Sequence, residues 1–260
     1  MGIGLLGLLS LAACGSTGSG RKVSAPASGS AGAPSSTPAS TPADKPVDAP
    51  ASAPAASATP ILHARDYVLT QGPETAGFIL NTSPDKQSNP QISEKKLAAC
   101  LGVPLADVQD RATDSAEGPY LSSADRLTIV GSEAEIAPAA DVTRDAATFT
   151  RAQTPGCFGQ LFFPSFQEEL AGSGERATLN SSRSLPPPAG ATNALRMVMT
   201  LTTGKTHVPL TLDLIFIMSG RVESSVMVIQ VNGVPDATLE QNLTRQVAGK
   251  VARQSGLTAA

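Results

Sequence analysis

The sequence predicts an α+β fold, with several helices packed against an antiparallel sheet in a single domain that follows a disordered leader. Three observations predict it. Alternating apolar and polar residues between residues 195 and 231 are typical of strands. Helical spacing of apolar residues before and after them indicates helices. The leader is a long stretch near the N-terminus that consists almost entirely of small residues and proline.

The first 13 residues have the features of a signal peptide. Residues 3–11 are almost wholly apolar, and this run is too short to span a bilayer, which takes roughly 20 apolar residues. It ends in Leu11-Ala12-Ala13-Cys14, which resembles the lipobox of bacterial lipoproteins. The resemblance implies that residues 1–13 are removed and that Cys14 carries fatty chains. These chains would anchor the protein at the extracytoplasmic face of the cell membrane. The alternative is a buried apolar N-terminus in a cytosolic protein, with Cys14 an ordinary thiol.

Residues 14–60 are predicted to form a tether, and residues 61–260 an extracytoplasmic domain. From residue 24 to residue 60 the chain is nearly all Ala, Pro, Ser, Thr and Gly, which bury too little apolar surface to offset the entropy of ordering. The remaining 200 or so residues suffice for one hydrophobic core. The net charge of −3, without long charge runs, argues against a nucleic-acid-binding surface.

The first half of the domain is predicted to hold three helices and a strand. The bounds expected from caps, glycines and prolines are a helix from Asn89-Pro90 to Gly102, a strand over residues 124–136, a helix from near Asp141 to before Pro155, and a helical segment over residues 158–170 with a break near Pro164.

A three-stranded antiparallel meander is predicted over residues 195–231. Its alternating runs are separated by Gly204-Lys205 and Ser219-Gly220, which are typical of hairpin turns. Both faces of these strands are apolar, so we expect the sheet to be covered on both sides, at least in part. A last helix is expected to open at Pro235-Asp236, with one apolar stripe formed by Leu239, Leu243, Val247 and Val251.

Two cysteines remain if Cys14 is lipidated. Outside the cytoplasm a pair such as Cys100 and Cys157 usually forms a disulfide. A metal site lacks support, because the cysteine spacing is far from C-x-x-C and the chain has only two histidines, His63 and His207. No metal and no cofactor are expected.

Four short segments carry a second resemblance. They are LAACLGVP at residues 97–104, Pro155-Gly156-Cys157, VPLTLDL at residues 208–214, and Ser219-Gly220-Arg221. They are similar to actinobacterial lipoproteins of the mycobacterial Lpq/Lpp kind and to the extracellular sensor domains of mycobacterial serine/threonine kinases. The resemblance implies a bent antiparallel sheet of the PsbP-like kind and a helix-linking disulfide that carries over to Cys100 and Cys157. Those sensor domains usually hold a second disulfide, for which this chain has no cysteines.

Candidate ligand-binding residues lie in the meander and in the third helix. Asp213 is an acid within an apolar strand, and Arg196 is its candidate partner. The pair is either a polar anchor in a ligand pocket or a structural ion pair. Four phenylalanines including Phe162, together with meander methionines including Met199, either line an apolar cavity or form an ordinary core.

The leading functional hypothesis is a membrane-tethered, non-catalytic binding or sensing domain of the cell envelope. Its partner would be a protein, a cell-wall polymer or a lipid-like ligand. The second hypothesis is an envelope hydrolase that uses His207 as a general base with a serine, although no G-x-S-x-G motif occurs. The third is a carrier of a lipid-like ligand. P-loop, dinucleotide and H-E-x-x-H motifs are all missing from the sequence.

Overall fold

The computed structural model describes residues 61–81, 93–171 and 175–257. The signal peptide, Cys14 and the whole tether, together with the expected helix start at Asn89-Pro90, lie outside the described residues.

The described chain holds four α-helices and eight strands. The helices are α1 (Glu94–Leu101), α2 (Ala139–Phe149), α3 (Thr154–Ala171) and α4 (Ala237–Leu257). The strands are β1 (Phe78–Leu80), β2 (Asp114–Glu117), β3 (Leu121–Ser123), β4 (Thr128–Ile136), β5 (Arg176–Leu185), β6 (Asn193–Thr203), β7 (Thr206–Ser219) and β8 (Val222–Val231).

All eight strands belong to one antiparallel sheet. The strand order is β1-β3-β4-β8-β7-β6-β5, and β2 also pairs with β4. The predicted α+β class and the meander β6-β7-β8 are confirmed. The two hairpin turns place Gly204 at φ 61° and Gly220 at φ 60°, in the left-handed region where a side chain is disfavoured.

Both faces of the sheet are covered, as the apolar character of both strand faces predicts. On one face, here called the α3 face, meander side chains such as Leu195, Met197 and Leu212 pack with the phenylalanines of α3. The opposite α4 face packs Ile215, Val226 and other branched residues against the stripe Leu243, Val247 and Val251. Each fully buried side chain of this size contributes roughly 1.5–3 kcal/mol, so the two layers together hold the sheet.

The start of α4 agrees with the sequence, because the side chain of Asp236 accepts the backbone N–H of Leu239 at 2.8 Å. This is the contact of a helix N-cap.

Two of the predicted bounds were wrong. The strand expected from residue 124 begins at Thr128, because Ser123 and Asp125 form a side-chain-closed turn in which Arg126 has φ 58°. Helix α3 is continuous through Pro164. Pro164 is exposed, whereas Phe158, Phe162 and Phe166 are buried, so the core contacts of the helix lie on both sides of the proline.

Candidate functional site

An acidic cleft opens on the α3 face, where α1, α2 and the start of α3 meet the ends of β4 and β8. It encloses a cavity of about 30 Å³. Apolar side chains form one wall: Leu97, Leu101, Ala137, Phe149 and Phe158. Six carboxyl groups also line the cleft: Glu94, Asp110, Glu135, Asp141, Asp145 and Glu223. The cleft therefore combines an apolar wall with several acidic side chains.

Helical and strand periodicity bring these side chains together. Asp141, Asp145 and Phe149 follow one another at intervals of four on α2, so all three face the sheet side of that helix. On the sheet, Glu223 of β8 lies directly opposite Glu135 of β4. Side chains of directly opposed residues are about 5 Å apart at Cβ, a distance at which two like charges repel.

Glu223 is the most unusual group in the cleft. It is only 6% exposed, and its carboxyl hydrogen-bonds to that of Asp145. Burial, together with the nearby charge of Asp145, raises the pKa of Glu223 to about 9. Burial also raises the pKa of Asp145. The two carboxyls therefore share a proton at neutral pH, with Glu223 donating to Asp145.

One carboxyl oxygen of Glu223 has no hydrogen-bond partner among the described residues. This atom, Oε1, is buried and accepts no hydrogen bond, although Glu223 lines the cleft. A buried polar atom without a partner costs roughly 1–3 kcal/mol. A hydrogen-bond donor brought into the cleft would recover that free energy.

Two arginines offset the charge of one cleft acid. Arg111 Nη1 lies 3.0 Å from Asp141 Oδ1, and Arg144 contacts the same oxygen. Arg144 Nε also lies 3.8 Å from Asp107 Oδ1. Both arginines therefore offset the charge of Asp141.

A second, larger groove continues the acidic surface along β2 and β4. Its volume is about 460 Å³, and it shares Asp110, Ala112 and Glu135 with the cleft. Further carboxyls line it: Asp114, Glu117 and Glu133. His63 reaches its edge, with Nδ1 4.0 Å from Asp114 Oδ2. The cleft and the groove share three residues, and together they form one acidic surface, here called the acidic tract.

Asp213 and Arg196, predicted from the sequence, lie on the α4 face and not in the cleft. They are directly opposed in β7 and β6. Arg196 Nε donates to Asp213 Oδ1 at 2.7 Å, and a second N–H contacts Oδ2. Glu240 of α4 lies 4.0 Å from the same guanidinium, and burial followed by its hydrogen bond to Asp213 raises the pKa of Glu240 to about 8. With Asp213 0% exposed, this is the geometry of the structural ion pair among the two alternatives.

Phe162 and Met199 lie in the hydrophobic core of the α3 face. Each is about 1% exposed, and they belong to one continuous cluster with Phe158, Phe166 and Met197. Neither residue is among those that line the cleft or the groove. This placement matches the core alternative.

His207 is exposed at the β6–β7 hairpin, where its Nδ1 lies 3.0 Å from Thr202 Oγ1. Met218, which pairs with Glu223, lies near the other end of the same strand. At about 3.4 Å per residue, the intervening stretch of β7 is roughly 35 Å long. His207 is therefore remote from the cleft.

The disulfide between Cys100 and Cys157 is present and joins α1 to α3. Each cysteine directly precedes a residue of the apolar wall, Leu101 and Phe158. The bond therefore ties together two helices, α1 and α3, that contribute to the apolar wall.

Sequence reasoning missed Glu223 and Asp145. The sequence signal was weak, because Glu223 is the second residue of β8 and is followed by two serines, whereas Asp213 stands between two leucines of β7. The pairing with Asp145 of α2 depends on how the helix crosses the sheet, which the spacing of residues does not reveal.

The described residues contain no group of three or more His, Cys, Asp or Glu side chains arranged to hold a metal ion. Within the same ranges, no helix combines the length and the apolar character needed to cross a membrane.

Comparison with known proteins finds no matching family model and no matching curated protein. One solved structure that is similar in part is the extracellular domain of PknH from Mycobacterium tuberculosis. It shares 12% sequence identity, with 68% of this chain and 76% of that chain covered, at a TM-score of 0.30. The function of the cleft therefore has to be inferred from its own geometry.

Proposed function

We propose that this chain is a lipid-anchored protein of the cell envelope whose domain binds a ligand, without catalysis, in the acidic cleft. One observation carries the proposal: a buried carboxyl oxygen of Glu223 without a partner, in an open cleft with an apolar wall. Clefts that combine apolar walls with a few polar groups of perturbed pKa are typical of ligand sites.

The envelope location is supported by the N-terminus and by the disulfide. The lipobox-like residues ending in Cys14 favour lipid anchoring. A tether as long as residues 15–60 would place the domain about 40 Å from the membrane on average. The disulfide between Cys100 and Cys157 favours an oxidising compartment.

The non-catalytic assignment is supported by the position of His207. Its ring contacts Thr202 at an exposed hairpin, far from the acidic tract. The competing hydrolase hypothesis predicts that His207 is required for turnover. If His207→Ala abolished turnover of an envelope substrate without lowering stability, binding alone would be the wrong function.

The binding proposal is tested with the full chain carrying Cys14→Ser, which removes the expected anchor. The variant is mixed with isolated envelopes of its host and sedimented. Ala112→Trp places a bulky ring where cleft and groove meet, and we expect it to abolish sedimentation with the envelopes.

Ala252→Trp is the matched control, because Ala252 is exposed on α4, on the other side of the sheet. It should bind as the parent does, and both variants should keep the unfolding midpoint of the parent. Equal binding by both tryptophan variants would show that the cleft is not the binding site.

A further inference from the structure

The cleft combines three features that restrict the chemistry of its ligand. They are a buried acceptor oxygen on Glu223, further carboxylates around it, and an apolar wall. A ligand that matches all three carries positive charge, donates hydrogen bonds and has an apolar part.

We infer that the cleft binds a primary alkylammonium group, with its N–H donors directed at Glu223 Oε1 and the Asp145 carboxylate and its methylene chain against Leu97, Leu101 and Phe149. This inference rests on the proposed function, since it names the class of ligand that the same site takes.

Size favours an ammonium over a guanidinium. A cavity needs roughly 10–15 Å³ to hold one water molecule, so the cavity of about 30 Å³ suits a group of about that size. An ammonium is a compact group with three donors, whereas a guanidinium is a wide planar fork. The enclosed space therefore suits an ammonium head.

The donor set argues against a metal ion. The described residues lack a group of three or more ligating side chains in metal-binding geometry, and a hard cation such as Ca²⁺ takes six to eight oxygen ligands. Leu97, Leu101 and Phe149 offer none. A methylene chain, by contrast, gains free energy from that wall.

Charge on the surrounding elements supports a cation. The groups that face Glu223 or line the same cleft are Asp145, Asp141 and Arg144 on α2, Glu135 on β4, Glu94 on α1, and Asp110 and Arg111 in the loop before β2. Both arginines are occupied by Asp141. Among these described groups the carboxyls outnumber the arginines, and the adjoining groove adds more acids.

Binding should also displace a proton. Burial and Asp145 hold the pKa of Glu223 at about 9, and a bound ammonium stabilises the ionised carboxyl. An alkylamine keeps its own proton up to about pH 10. The affinity should therefore increase between pH 7 and pH 9, with up to one proton released for each ligand bound.

The test is titration of the full Cys14→Ser chain with n-butylamine, followed by NMR or calorimetry. We expect saturable binding of n-butylamine, none of 1-butanol, and affinity that increases about fourfold per methylene from ethylamine to butylamine. Glu223→Gln keeps an acceptor oxygen but cannot ionise, so at pH 9 it should weaken binding about tenfold or more. Glu168→Gln removes an exposed acid of α3 and should leave the affinity within about twofold.

Equal affinity for n-butylamine and 1-butanol, calcium chloride binding at the same residues with higher affinity, or an unchanged affinity in Glu223→Gln would each overturn the inference.

Competition separates the two proposals. If Ala112→Trp abolishes envelope binding but n-butylamine neither binds nor competes, the site is right and the ammonium inference is wrong. If n-butylamine binds through Glu223 while Ala112→Trp leaves envelope binding intact, the inference stands and the proposed function is wrong.

Discussion

Replacing Glu223 by glutamine should change how stability depends on pH. In the folded chain the pKa of Glu223 is raised to about 9, from an ordinary value of 4.5. The folded state therefore binds one more proton than the unfolded state between these two pH values. Stability from this group is complete below pH 4.5 and is lost as pH rises towards 9.

The size of the effect follows from the two pKa values. At pH 7 the solution is about 2.5 units above the ordinary pKa of 4.5. Because Glu223 stays protonated in the folded state, the free energy of unfolding is about 3 kcal/mol lower at pH 7 than at pH 4. Glutamine carries no ionisable proton, and its amide can donate to Asp145 in the same place. The stability of Glu223→Gln relative to the parent should therefore be about 2–3 kcal/mol greater at pH 7 than at pH 5.

The assay is urea unfolding followed by circular dichroism at pH 5, 6, 7 and 8. Glu168→Gln removes one exposed carboxyl from α3 and serves as the control, with a difference from the parent that hardly varies with pH. If the difference between Glu223→Gln and the parent were the same at pH 5 and pH 7, the buried, protonated state of Glu223 would be refuted.

Three further changes test other parts of the structure by chemical unfolding. Cys157→Ser opens the disulfide and should cost about 4 kcal/mol. Reduction of the parent should have a similar effect, and no loss from either would contradict a formed bond. Arg196→Leu leaves Asp213 buried without its partner and should cost about 3–5 kcal/mol, whereas leucine at both positions should recover most of this. If only the double variant lost stability, the ion pair between Arg196 and Asp213 would be excluded. Gly131→Ala places a Cβ 2.7 Å from Tyr120 Cε1 and should cost about 1–3 kcal/mol. That cost should shrink when Tyr120 is leucine, and an unchanged cost would mean that the ring is not the obstacle.

The meander and α4 could be predicted because their signals are local. Alternation at a period of two places Leu212 and Leu214 on one face, and glycine at 204 and 220 marks the turns. Strands β1, β2, β3 and β5 were not predicted. Strand β5 is largely exposed and polar, and β1 and β3 have three residues each, so neither composition nor length marks them as strands.

An acid within an apolar strand is the signal that singled out Asp213 as a candidate. Asp213 faces α4 and meets Arg196 on the neighbouring strand, so its charge is compensated. Glu223, near the start of β8, points to the other face and meets a second carboxyl. Which acid finds a cation and which finds another acid depends on the residues across from it in space.

By itself, the sequence determined the α+β class, the order of the last three strands and the last helix, and two cysteines suited to pair. These properties follow from periodicity and composition, which act over a few neighbouring residues. Only the tertiary structure decided that α2 crosses the sheet so that Asp145 lies against Glu223, and that the disulfide joins α1 to α3 beside them. Such contacts form when helices pack against the sheet and bring together residues that are distant along the chain. That packing buries the protonated carboxyl of Glu223 and forms the cleft.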